Sequence, residues 1–125
     1  MPTIHDAFPA ILLCDTLVFR ALRPGWISED HVIHSQAFTL RPNENGLSVN
    51  NNCENATRSL KSLKAVTSLH VGKVRDAKAD VIPDRRDHAE ITGLPDLSDD
   101  AETERMATAL LRNARLAWHR LRSTN

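Results

Sequence analysis

Between Thr16 and Leu22 the apolar residues fall on both sides of a two-residue repeat, with Leu17, Phe19 and Ala21 projecting one way and Val18, Arg20 and Leu22 the other. Successive side chains of a strand point to opposite faces, so this pattern predicts an interior strand covered on both sides. Arg23-Pro24-Gly25 ends it. His31–Leu40 offers Val32, Ala37, Phe38 and Leu40 for burial and is expected to be extended. Arg41 to Gly46 reads as a turn whose Asn45-Gly46 pair tolerates positive φ, and Leu47-Ser48-Val49 reads as a short returning strand, together a hairpin.

Asn50-Asn51-Asn52 supplies a cap for a helix of about three turns, with Ala56, Leu60 and Leu63 on one face and Arg58, Lys61 and Lys64 on others. Ala65–Val71 is predicted as a strand, and its continuation through Gly72, Val74 and Asp76 reads either way. Ala79–Ile82 is a short strand stopped by Pro83, and Asp84 to Asp87 a charged turn. His88–Thr92 alternates, with Ala89 and Ile91 inward and His88, Glu90 and Thr92 outward.

Ser98 to Arg122 carries the longest helical signal. Ser98 or Asp99 is the expected N-cap. Asp99, Asp100, Glu102 and Glu104 lie near the positive end of the helix dipole, and Arg112, Arg115, Arg120 and Arg122 toward the negative end. Met106, Leu110, Ala114, Ala117, Trp118 and Leu121 form its apolar stripe. Residues 1–14, broken by Pro2 and Pro9, form an N-terminal arm whose stretch from Phe8 to Leu13 needs a surface to lie on. The expected fold class is α+β: one domain over 1–125, a small antiparallel or mixed sheet packed on a short middle helix and a long C-terminal helix at 98–122.

Composition narrows the setting. A chain of 125 residues with 41% apolar content can bury one core without staples. Sixteen basic residues balance sixteen acidic ones, so no global field draws the chain to nucleic acid or anionic lipid. The few aromatics argue against a base-stacking platform. Cys14 and Cys53 form neither a disulfide framework nor a C-x-x-C motif, and both are expected as free thiols. The run Ala10–Leu13 is too short for a signal peptide or a membrane span, so a cytoplasmic location is expected and the sequon Asn55-Ala56-Thr57 is expected to be silent.

No complete catalytic motif is present. Of the six histidines, His31 and His34 are three apart without a ligand partner at metal-binding spacing, so no metal site is expected. His88 and Glu90 are two apart on one strand face, the arrangement of an acid/base pair and equally of a solvated sheet face. Arg20 stands mid-strand between Phe19 and Ala21, where a buried guanidinium must find a carboxylate, a carbonyl or a bound anion. Glu90 or a carboxylate of the last helix is its expected protein partner. Ser35 and Ser48 lie outside any G-x-S-x-G context. The arginines of the last helix read as a solvated face.

The segments "VFRALRPGWI", "SQAFTLRPNENGLSVN" and "VRDAKADVIPDRRDHAEITG" resemble a family of small, largely uncharacterised bacterial proteins, over roughly residues 17–118. That family has an aromatic-Arg first strand, S-x-A-F and L-S-V segments and a late H-A-x-I-x-G strand. No activity follows from that resemblance. A second similarity is to ADP-ribosyltransferase-like folds. It implies Arg20 gripping an NAD-type dinucleotide, Ser35 shaping the pocket and Glu90 orienting the ribose. The chain lacks that group's Ser-Thr-Ser and its aromatic pair for nicotinamide. The first expectation is therefore a non-enzymatic domain binding a partner protein or a small anionic ligand. The alternative is a small transferase-type enzyme or toxin, with Arg20, Ser35, His88 and Glu90 as candidate catalytic residues.

Overall fold

A computed structural model describes residues 7–95 and 98–120. Among them the strands are β1 (Leu17–Leu22), β2 (Leu47–Asn50), β3 (Ala65–His70), β4 (Asp80–Arg85), β5 (His88–Thr92) and β6 (Arg115–His119). They form one sheet in the order β4-β5-β2-β1-β3-β6 with every neighbouring pair antiparallel. The helices are α1 (Cys53–Arg58), α2 (Val71–Asp76) and α3 (Asp100–Arg112), with 3-10 turns at Pro24–Trp26 and Ser35–Phe38. The fold is α+β.

β1 is interior, as its two apolar faces require. Val18 and Leu22 are buried in the main core with Leu47, Val49, Leu69 and Ile91, roofed by Met106, Ala107 and Leu110 of α3 and by Ala37 and Phe38. On the opposite face Phe19 packs with Ala56, Leu63 and Val66 beneath α1. Asn52 caps α1 by accepting from the Asn55 N–H at 2.8 Å. The helix spans only six residues, shorter than the apolar spacing predicts, and Leu60 and Leu63 pack against that minor core from beyond its end. The chain after β3 becomes α2, with Val71 and Val74 buried. In the arm, Leu12 is buried and Phe8 packs against the core, while Ile11 and Leu13 are exposed.

Three expectations are corrected. First, the last helix does not run from 98 to 122. Asp99 caps it through the Glu102 N–H at 3.1 Å, and it ends at Arg112. Asn113 then takes φ −102°, ψ 0°, and its side-chain amide donates to the Ala109 carbonyl at 3.1 Å, satisfying one of the orphan acceptors of the last turn. After Ala114, Arg115–His119 pair with β3 as β6. The alternation of Leu116 and Trp118 gives them something to bury on a sheet, and tertiary pairing outweighs helix propensity. The stripe is thereby divided: Met106 and Leu110 are buried by the helix, Trp118 is half-buried by the strand on the opposite face, Ala117 is exposed, and Leu121 and Arg122 lie outside the described residues.

Second, no hairpin forms at Asn45-Gly46. The segment at 31–40 is a loop with one isolated bridge, Ile27 to Ile33, followed by the turn Ser35–Phe38, so β2 pairs with β5 and β1 instead. Gly46 serves close approach: a Cβ there would sit 2.8 Å from Glu90 Oε2 and 2.9 Å from the Ile91 carbonyl oxygen. Third, Pro83 does not stop β4, which continues to Arg85. The strand is at the sheet edge and its register shifts between Pro83 and Arg85, the setting in which a missing N–H is tolerated.

Leu110, 1% exposed on the inner face of α3, tests this packing. Leu110→Ala is expected to destabilise the fold by about 2–5 kcal/mol. Chemical denaturation with an unshifted midpoint would mean that α3 does not roof the core.

Candidate anion site

β1 and β3 register along the whole of β1, from Leu17↔His70 to Leu22↔Ala65, whereas β1 and β2 register only at Phe19↔Asn50. Where β1 and β2 lack a shared ladder, the Arg20 side chain supplies the link. Its Nε–H donates to the Ala37 carbonyl at 2.6 Å and its Nη1 donates to the Ser48 carbonyl at 2.8 Å. The residue is 5% exposed. The sequence reading placed a carboxylate of Glu90 or of the last helix against it. The partners are instead two main-chain carbonyls, because the splayed strand and the 3-10 turn leave acceptors that the sheet does not use. The Trp26 ring lies 5.0 Å from the Arg20 guanidinium carbon and 5.5 Å from that of Arg23, so one indole faces two cations.

Around this guanidinium opens a cleft of about 520 Å³. Arg20, Arg23 and Trp26 come from β1 and the turn after it, Arg41 and Glu44 from the loop before β2, Ser48 and Asn50 from β2. Asn55 and Arg58 come from α1, Arg85 from the end of β4, Asp87 from the turn after it and His88 from the start of β5. Five arginines thus face two carboxylates, Glu44 and Asp87. Arg41 is bound to Glu44 at 3.2 Å and Arg58 to Glu54 at 2.5 Å. Arg23 and Arg85 make no ion pair among the described residues. The Arg23 Nε–H is buried without a protein acceptor.

The charges are tuned by these surroundings. Burial lowers the Arg20 pKa to about 10, with Glu44 opposing the shift and Arg41 and Arg23 adding to it. At neutral pH the group is still a cation. Burial pushes the Glu44 carboxyl up, but the Arg41 N–H, the Arg41 guanidinium and the charge of Arg20 together hold it below the ordinary carboxylate range. His88, buried at the cleft wall, has its Nδ1 2.6 Å from Asp84 Oδ1. Partial burial raises the Asp84 carboxyl, and the hydrogen bond to His88 with the charges of His88 and Arg85 outweighs it, leaving Asp84 below its usual value.

Of the four residues singled out in the sequence, Arg20 and His88 share the cleft. Glu90 stands on β5 directly across from Ser48, with its carboxylate over Gly46, outside the lining. Ser35 opens the 3-10 turn and its carbonyl accepts from the Thr39 hydroxyl, also outside the lining. His88 is buried rather than outward in solvent, and its carboxylate partner is Asp84 and not Glu90. Ser48, set aside with Ser35, lines the cleft. Sequence reasoning missed Arg23, Trp26, Arg41, Arg58 and Arg85. Each lies in a segment read as a turn or a solvated face. The available signal was the choice of cation: twelve of the sixteen basic residues are arginine, and no lysine lines the cleft. Arginine is the residue suited to oxyanion recognition.

Among the described residues no cluster of histidine, cysteine, aspartate or glutamate could hold a metal ion, and no helix is long and apolar enough to cross a membrane. Cys14 and Cys53 are both free thiols. No family model, no curated protein and no solved structure matches this chain.

Two outcomes follow from the geometry. Arg20→Met leaves the Ala37 and Ser48 carbonyls without their donor and is expected to lower stability by about 1–3 kcal/mol; an unmoved denaturation midpoint would show that those bonds contribute nothing. Asp84 has a folded-state pKa below its unfolded value of about 3.9, so its contribution is complete above that pH and is lost as pH falls further. The carboxylate is nearly half exposed, so solvent screens the effect. Asp84→Asn should therefore flatten the acid limb of the stability curve below about pH 4, and a limb parallel to that of the unaltered protein would remove Asp84 from the acid response.

Proposed function

We propose that this protein is a binding domain for a small anionic ligand held in the arginine cleft. The observation that carries the reading is the buried, still cationic Arg20 at the base of a cleft where five arginines meet two carboxylates. A cleft of about 520 Å³ is of the size that encloses a small organic molecule. Arg20 is fixed before any ligand arrives, because two of its N–H groups are tied to main-chain carbonyls. A donor held in place loses little freedom on binding. The remaining cations come from four separate segments of the chain, so only the folded protein assembles the field.

The same arrangement weighs against the transferase-like alternative. Of Arg20, Ser35 and Glu90, Arg20 alone lines the cleft. A catalytic carboxylate needs to reach the bond it acts on, and Glu90 is turned onto Gly46.

A thermal-shift screen of the protein against inorganic phosphate, citrate, nucleotides and NAD tests the reading. Phosphate-bearing or multiply charged anions are expected to raise the midpoint, and Arg23→Gln to suppress the rise without unfolding the protein. Stabilisation by NAD with release of nicotinamide would revive the enzyme. An unchanged midpoint with every anion would overturn the anion-binding reading.

A further inference from the structure

We propose that the ligand is a phosphate monoester, its dianionic head seated among Arg20, Arg23 and Arg41 and its uncharged, hydroxyl-bearing part lying toward Asn50 and Asn55. The inference rests on the anion-binding reading above and narrows it to a chemical class.

The charge of the cleft is concentrated at one end. Arg20 and Arg23 face the same Trp26 ring, and Glu44, Arg41 and Arg23 are the charged groups that act on Arg20. That end carries three arginines and one carboxylate, 3 − 1 = +2. Elsewhere in the lining Arg58 is paired with Glu54, and Arg85 acts on the Asp84 carboxylate. The surplus therefore matches one doubly charged group rather than a chain of charges along the cleft.

The donors match a phosphoryl group in number. A guanidinium has five N–H bonds. Arg20 uses two of them on Ala37 and Ser48, and the rest have no acceptor among the described residues although the side chain is buried and lines the cleft. Arg23 also lines the cleft and makes no ion pair among the described residues. A carboxylate offers two oxygens in one plane, whereas a terminal phosphate offers three oxygens around a tetrahedral centre and can be gripped from three sides.

The remainder of the cleft asks for hydrogen-bond donors. The Asn50 side-chain amide donates to the Asp87 carbonyl at 3.1 Å, and that of Asn55 donates to Asn51 Oδ1 at 2.7 Å. Both residues line the cleft, and among the described residues no donor is bonded to either amide oxygen. Amide oxygens accept from hydroxyl groups and repel a second anion. A phosphorylated polyol or sugar meets both requirements.

Isothermal titration of the intact protein tests this with a hexose monophosphate, inorganic phosphate, sulfate, citrate and dimethyl phosphate, each at about pH 8 and about pH 5.5. The monoester is expected to bind at least about tenfold tighter than the singly charged diester. Because the second phosphate pKa is about 6, its affinity relative to sulfate, which stays doubly charged, should fall about fourfold at the lower pH. Arg23→Gln should weaken the monoester about tenfold or more. Asn55→Leu should abolish its advantage over inorganic phosphate. Diester or citrate binding as tight as the monoester, or no fall relative to sulfate, would overturn the monoester and leave the anion cleft in place. Absence of binding by every anion would remove both.

Discussion

The guanidinium of Arg20 joins the 3-10 turn Ser35–Phe38 to β2 and does so from the middle of β1. A charge in that position is tolerated only if its donors are used, since a buried unpaired cation is too costly to persist. The constraint spreads outward. Ala37 must present its carbonyl inward, which sets the turn beneath α3, and β2 must stand off from β1 so that the Ser48 carbonyl stays available. The same standing-off creates the opening in which the other arginines gather. The core packing of α3 and the electrostatics of the cleft therefore share one residue. An anion arriving there meets a cation that the fold already requires.

Holding Arg20 by carbonyls rather than by a carboxylate decides what the site can do. A salt bridge would neutralise the charge and close the fork. Main-chain carbonyls fix the orientation and leave the full charge in place, screened mainly by Glu44, which Arg41 also engages. Trp26 contributes an aromatic face to both Arg20 and Arg23, holding two like charges near each other without a counter-ion between them.

Local signals were legible wherever a single segment decides its own structure. The doubly apolar alternation of β1, the Asn52 cap of α1, the Asp99 cap of α3 and the alternation of β5 from Ala89 to Thr92, though not the outward His88, are readable because the relevant partners lie within a few residues. Non-local partners were not readable. Arg115–His119 is helical by composition and becomes a strand because β3 has an open side. Asn45-Gly46 favours a hairpin by turn chemistry, yet the preceding segment turns away and β5 takes the place beside β2. The cleft was half legible. Arg20 was conspicuous as a polar residue in an apolar run, and His88 as part of a strand face. Arg23, Arg41, Arg58 and Arg85 looked like ordinary surface charge, since their meeting depends on how the turn after β1, the loop before β2, the end of α1 and the end of β4 come together.

The two ends of the sheet are not equivalent. At the β4 side, Pro83 has no N–H to offer, the register shifts beside it and the charged residues Asp84 and Arg85 follow. An extended chain arriving there would find an interrupted row of donors. At the β6 side the strand carries no proline. The two edge strands therefore differ in the backbone donors they could offer an added strand, and the interrupted one leads directly into Arg85 of the cleft wall.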